Sequence, residues 1–263
     1  QPSELVKIIL VIFLAGYLEE KREVLTEGTR LVFGVPVPNL QYVGPLLVMW
    51  GFSLVLLIFQ NDLGTALIFF GTSLTMIFIA TGRWSYVITG TILFTAGAGL
   101  CYLLYHHVQA RVAVWLNPWN DIDGKGYQIV QSLFAIGSGG FYGTGLGLGR
   151  PTLIPAVHTD FVFSAWSEET GFLGAAALLL IYCLLIYRGF CVALKAKSGF
   201  GALLASGLTS LLAIQTLVIV GGVIKLFPLT GVTLPFVSYG GSSLVSSYIL
   251  LGLMTSISAK DGA

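Results

Sequence analysis

Charge is what this chain has least of. Asp, Glu, Lys and Arg together make up 10% of its 263 residues, where soluble domains carry about 25%. Too little polar surface remains to cover a globule in water, so a lipid-facing protein is expected. The net charge of +1 leaves no electrostatic footprint for nucleic acid, and no nucleic-acid partner is expected. Cysteine is scarce as well. Cys101, Cys183 and Cys191 lie in apolar runs without CxxC spacing, which reads as inert buried thiols. The three histidines, His106, His107 and His158, lack HExxH spacing, so the common zinc-hydrolase signature is missing. There is no GxSxG elbow. The stretch "GTGLGLGRP" at 143–151 is rich in glycine but has no GK[ST] and no preceding strand. It is expected to be a turn against a membrane helix and not a phosphate loop. No signal peptide opens the chain. It begins "QPSELVKIIL", directly in a hydrophobic helix and without an initiator Met, so residues before it are expected to be missing.

What is there is apolar sequence: 56% of residues are hydrophobic and the mean hydropathy is +0.89. A membrane span needs about 20 apolar residues. Seven candidate spans run at 3–18, 44–60, 64–81, 84–105, 164–187, 203–224 and 236–257. The expected fold is all-α, a polytopic helical membrane protein forming one integral-membrane domain over 1–263. Between the fourth and fifth spans lies a segment, 106–163, too long for an idle connection. Alternate loops differ in Lys and Arg. One side holds Lys21, Arg22, Arg30, Arg83, Arg188, Lys195, Lys197 and Lys260; the other holds Arg111, Lys125, Arg150 and Lys225. The richer side is expected in the cytoplasm, which makes 106–163 an extracytoplasmic loop. Within it Ile129, Val130, Leu133, Phe134 and Ile136 fall near helical spacing and predict a short helix in the interface.

Ionisable residues near lipid are expensive and usually face a bundle interior or a wet cavity. Glu4 and Lys7 are three apart and can meet on one helical face. Lys7 either snorkels outward from that pair or faces a cavity and meets a phosphate. Asp62, in "QNDLG", stands where a helix N-cap is expected. Arg111 either sits among lipid headgroups or clamps a phosphate, which guanidinium does well. In "HTDFVFSAWSEETG" a helix starting near Thr159 or Asp160 would place Ser164, Ser167 and Glu168 within about 80° of Asp160, with Glu169 on the opposite side. Such a polar stripe wants a cavity or another helix. Asp160 and Glu168 would be about 12 Å apart along that helix, too far for a glycosidase carboxylate pair at about 5–9.5 Å. A single carboxylate suffices when the leaving group needs no proton. A lipid pyrophosphate is such a group: one base takes a proton from a sugar hydroxyl while cations or a metal hold the departing phosphates.

The motifs "QPSELVK" (1–7), "QNDLGTA" (60–66), "GYQIVQSLFAIGSGGFYGTGLG" (126–147), "HTDFVFSAWSEETGFLG" (158–174) and "FPLTGVTLPFVSYGGSS" (227–243) occur in that order. With them the chain resembles the SEDS family of peptidoglycan polymerases, the RodA/FtsW/SpoVE group. The resemblance implies spans four to ten of a ten-span fold. It implies polymerisation of lipid II on the outer face of the bacterial cytoplasmic membrane, with undecaprenyl pyrophosphate leaving, in cell elongation or division. The family's essential aspartate falls on Asp160, with Glu168 as a supporting carboxylate. Lys7, Arg111, Glu4, His158, Thr159 and Gln131 become candidate substrate-binding residues. A class B penicillin-binding protein transpeptidase is the implied partner. A divalent cation, Mg or Mn, is compatible with pyrophosphate departure, though the sequence names no metal. Lys225 before "PLTG" resembles an actinobacterial-type variant and leans toward RodA. The rival readings are a lipid II flippase or other transporter, which calls for a polar path reaching the cytoplasmic side, and a scaffold for cell-wall enzymes.

Overall fold

The computed structural model describes residues 1–27, 29–32, 35–38, 44, 51 and 63–261. Apart from Gly44 and Gly51, the expected span at 44–60 lies outside these residues, as does the N-cap expected of Asp62.

Helix α1 spans Pro2–Glu20. Pro2 suits its first turn, where no N–H partner is needed. Ser3, Glu4, Lys7, Ile8, Val11, Leu14, Ala15 and Leu18 form its buried stripe, at the three-and-four spacing of one helical face. Leu5, Ile9, Ile12 and Phe13 are exposed on the other face, so the helix is apolar nearly all round. A short α2 (Arg22–Glu27) follows, then an antiparallel ribbon of β1 (Thr29–Val32) and β2 (Val35–Pro38). After these come α3 (Leu63–Thr81) and α4 (Trp84–Leu104). α1 packs on α3. α4 buries only Tyr86, Gly90 and Cys101. Its exposed Ile88, Ile92, Leu93, Leu100 and Leu103 are what a lipid-facing helix presents.

The segment after α4 holds more structure than its sequence suggested. It contains α5 (His106–Leu116), a 3₁₀ turn at Pro118–Asp121 and α6 (Tyr127–Gly139). The expected interface helix is α6. It buries Ile129, Val130, Ser132, Ala135 and Gly139, while Phe134 is exposed. The Ser132 hydroxyl pairs with that of Ser164 at 2.7 Å and donates to the Val223 carbonyl at 3.3 Å. α6 is therefore packed against other helices of the protein along one face.

Helix α7 covers Val162–Lys195, longer than the expected 164–187. It begins after Asp160, so the expected start near Thr159 or Asp160 is corrected by two to three residues. α7 also breaks internally at Gly171, with φ 68 and ψ −166, a conformation open to glycine and costly for other residues. The freed backbone groups are taken by the glycine-rich segment. Thr144 N donates to Glu168 O, Gly145 N to Glu169 O, Phe172 N to Gly140 O and Leu173 N to Phe141 O. "GTGLGLG" is thus a turn docked on a kinked helix, in line with the reading against a phosphate loop.

α8 (Gly199–Val223) and α9 (Gly241–Asp261) complete the chain. The last helix starts at Gly241, later than the expected 236, because 234–239 forms turns tied to other segments. In α8 the buried hydroxyls of Ser206, Thr209 and Ser210 donate to carbonyls three or four residues back, so they need no outside partner. Among the described residues, α3, α4, α7, α8 and α9 are long and apolar enough to cross a membrane. The chain forms two compact units. One comprises Gln1–Cys101, Ile186–Ile214 and Val245–Ala263; the other comprises Tyr102–Leu185 and Gln215–Leu244.

Candidate functional site

Asp160 closes a turn that starts at Ala156, which has φ 57. Its N–H and that of Thr159 both donate to the Ala156 carbonyl, at 3.1 and 3.2 Å. The turn is pinned from a distant segment: Tyr239 N donates to His158 O at 2.8 Å and the Ser238 hydroxyl donates to Thr159 O at 2.6 Å. His158 and Thr159 thus hold the turn through their carbonyls. Phe161 is fully buried and anchors the far end. These restraints fix the backbone that carries the Asp160 carboxylate.

The carboxylate lines a cavity of about 260 Å³ with Arg111, Lys125, Gln128 and Gly231. Gly231 has φ 69, and a Cβ placed on it would lie 3.5 Å from Asp160 Oδ2, so the wall there is bare backbone. Arg111 comes from α5, whose C-terminal end is held by Lys225: Trp115 Nε1 donates to Lys225 O at 3.1 Å, and Lys225 Nζ donates to Leu116 O at 3.3 Å. Arg111 Nη1 is buried and has no hydrogen-bond partner among the described residues. Lys125 is presented by a tight turn in which Asp121 accepts from the backbone N–H groups of Gly124, Lys125 and Gly126. One carboxylate and two basic side chains therefore share one cavity. This arrangement can remove a proton from a neutral nucleophile and neutralise an anionic leaving group in the same space.

Residues 1–262 match the family described as cell cycle proteins of the FtsW/RodA/SpoVE group. The chain belongs to that family. It is 45% identical over 258 residues to the peptidoglycan glycosyltransferase RodA of Mycobacterium leprae, covering 98% of this chain and 56% of the relative. It is 40% identical to the stage V sporulation protein E of Bacillus subtilis, covering 98% of this chain and 68% of that protein. Among solved structures it is similar to a chain of a peptidoglycan synthase complex that coordinates polymerization and crosslinking. There the TM-score is 0.76 at 30% identity, over 99% of this chain and 70% of the other. It is also similar to the rod shape determining protein RodA of Thermus thermophilus, with TM-score 0.63 at 30% identity, over 99% and 66% of the two chains. This FtsW/RodA/SpoVE member spans a little over half the length of the mycobacterial RodA proteins it matches. It is a multi-pass helical membrane protein.

Among the described residues, the lining of the Asp160 cavity includes no sequence candidate other than Asp160 and Arg111. Glu168 is buried on α7 and lines a second cavity with Gln131, not the one that holds Asp160. Ser164 and Ser167 are buried; the Ser164 hydroxyl bonds Ser132 of α6, and that of Ser167 bonds the Phe163 carbonyl within its own helix. Glu4 and Lys7 form an ion pair at 2.9 Å, with the residues 4% and 2% exposed. The expected contact is real, but Lys7 does not snorkel outward. Ser246 donates to the second oxygen of Glu4 at 3.0 Å. Lys125, Gln128 and Gly231 were missed. Lys125 had been counted only for membrane orientation, and no local spacing joins residues 125–128 to 160 or 231.

Among the described residues no three His, Cys, Asp or Glu side chains come together in a cluster able to hold a metal.

Proposed function

We infer that this chain is the catalytic part of a peptidoglycan glycosyltransferase that polymerises lipid II. The reading is carried by the shared cavity of Asp160, Arg111 and Lys125 and supported by the names of its relatives. Asp160 accepts the proton of the acceptor sugar's 4-hydroxyl as that oxygen bonds to the donor's anomeric carbon. The bond from that carbon to the pyrophosphate oxygen breaks, and undecaprenyl pyrophosphate departs with its charge met by Arg111 and Lys125. No proton is needed on the leaving group, so one carboxylate is enough. In the alternative to a base role, Asp160 would hold a divalent cation, which would activate the acceptor and add neutralisation of the phosphates.

The cavity is built from the 106–163 segment and the 229–231 turn. The Lys and Arg distribution supports an outer-side position for both, and the relatives' names support the bacterial cytoplasmic membrane. The similarity to a chain of a peptidoglycan synthase complex supports a transpeptidase partner of the class B penicillin-binding type. The test is polymerisation of lipid II by the full-length protein with its partner, read as glycan strands on a gel. Asp160→Ala and Asp160→Asn, verified as folded, are expected to give none. Strands made at the wild-type rate by either variant would overturn the assignment.

A further inference from the structure

The second cavity, about 150 Å³ in volume, lies between α6, the loop before α7 and α7 itself. Its polar lining is Gln131, Ser138, Arg150 and Glu168. Glu168 is 93% buried, from its 7% exposure. Its Oε1 accepts the backbone N–H of Arg150 at 3.0 Å. Its Oε2 is buried and has no hydrogen-bond partner. A buried carboxylate oxygen without a donor or cation is costly, because the charge has left water and gained nothing in return. The guanidinium of Arg150 does not supply the partner: Arg150 is exposed and forms no ion pair with Glu168. The surroundings are kept open for something else. A Cβ on Gly149 would lie 3.3 Å from Oε2, so glycine leaves room there.

The donor set selects the occupant. Gln131 carries an amide oxygen and makes no side-chain hydrogen bond to a described residue. The Ser138 hydroxyl donates to the Ala135 carbonyl at 2.9 Å, which leaves its own lone pairs available. The lining offers one carboxylate, two neutral oxygens and Arg150, whose side chain is exposed and leaves the buried Oε2 the one charged atom without a partner. Protein cages for divalent cations use several carboxylates, and hard oxygen donors select alkali and alkaline-earth ions over soft metals. The single charge fits a single positive charge. The cavity has room for such an ion and several waters.

We propose that this cavity binds a monovalent alkali cation, with Glu168 Oε2 as the charged ligand and the Gln131 and Ser138 oxygens as neutral ones. The ion balances the carboxylate that holds the Arg150 N–H. That bond fixes the loop leading through Pro151–Leu153 into the turn of Asp160. Occupancy therefore stabilises the segment that positions the catalytic aspartate. Its consequence for turnover rests on the glycosyltransferase reading; the binding does not.

The test is thermal unfolding of the full-length protein in detergent, without lipid substrate. KCl, NaCl or RbCl is titrated against N-methyl-D-glucamine chloride at fixed ionic strength. A saturable rise in Tm with at least one alkali cation is expected, absent with N-methyl-D-glucamine. Asp160→Asn is expected to keep the rise. Glu168→Gln is expected to abolish it, and Ser138→Ala to move half-saturation about tenfold or more to higher concentration. The serine variant decides the matter if the glutamate variant does not fold. Crystals soaked in Tl⁺ should show an anomalous peak beside Glu168. No alkali-specific rise, an equal rise in Glu168→Gln, or a map with only water or the Arg150 guanidinium in the cavity would overturn the proposal. Because binding is read without turnover, an active Asp160→Asn enzyme would defeat the proposed function and leave this result standing.

Discussion

The Lys7 ammonium lies 2.9 Å from the Glu4 carboxylate, and neither side chain reaches the surface. Glu4 also accepts from Ser246 on α9, so the pair ties the first helix of the chain to the last. Removing either member takes from the other, still buried, the opposite charge it meets at 2.9 Å. Glu4→Ala and Lys7→Ala are each expected to cost about 3–5 kcal/mol. The double replacement by leucine should cost less than either. Thermal unfolding of the four proteins in detergent checks the order.

Arg111 and Lys125 answer the charge of the leaving group in the proposed reaction. Arg111→Ala and Lys125→Ala should each lose about 1.5–3 kcal/mol of substrate interaction, the worth of hydrogen bonds to charged groups. Lipid II binding would weaken by roughly tenfold to a hundredfold. Arg111→Lys should recover only part, because an ammonium lacks the planar fork. Equilibrium binding to lipid II in nanodiscs, compared with undecaprenyl phosphate, measures both effects.

Ser238 reaches the Thr159 carbonyl while accepting from Leu234 N at 2.8 Å. Ser238→Ala breaks both contacts and frees the turn that carries Asp160. A stability loss of about 1 kcal/mol is expected. The turnover number should fall more than the apparent affinity for lipid II changes. Steady-state polymerisation at several lipid II concentrations separates the two.

Gly139 sits where α6 meets α7. A Cβ there would lie 2.2 Å from the Ser167 carbonyl oxygen and 3.0 Å from the Glu168 Cα. Backbone atoms cannot step aside as a flexible side chain can, so Gly139→Ala must push the helices apart. About 1–3 kcal/mol of destabilisation is expected, with loss of the Ser132–Ser164 bond. Gly137→Ala, with open space around the new carbon, is the control. Chemical denaturation of the two variants should separate them clearly.

Much of the membrane architecture was legible because apolar length is a local property. The expected 64–81 and 84–105 correspond to α3 at 63–81 and α4 at 84–104. What escaped depended on distant contacts. α5 escaped because "HHVQARVAVWL" has neither a side-chain cap nor a long apolar run; Trp115 and Lys225, 110 residues apart, hold it in place. The start of α7 was placed early because His158 and Thr159 are held in a turn by Tyr239 and Ser238. Asp160 was legible through its motif. Lys125, Gln128 and Gly231 became its neighbours only through the folding of three separate segments.

A glycine-rich loop docked against Glu168 and Glu169 invites comparison with a hinge, but the break at Gly171 argues otherwise. A helix interrupted inside an apolar environment exposes amides and carbonyls that lipid cannot satisfy. The segment 140–145 meets that need by giving and taking backbone hydrogen bonds on both sides of the break. It works as a splint: swinging away would leave four partners bare at once. The amides of Thr144, Gly145, Phe172 and Leu173 should therefore exchange as one slow group, and the segment should not act as a hinge.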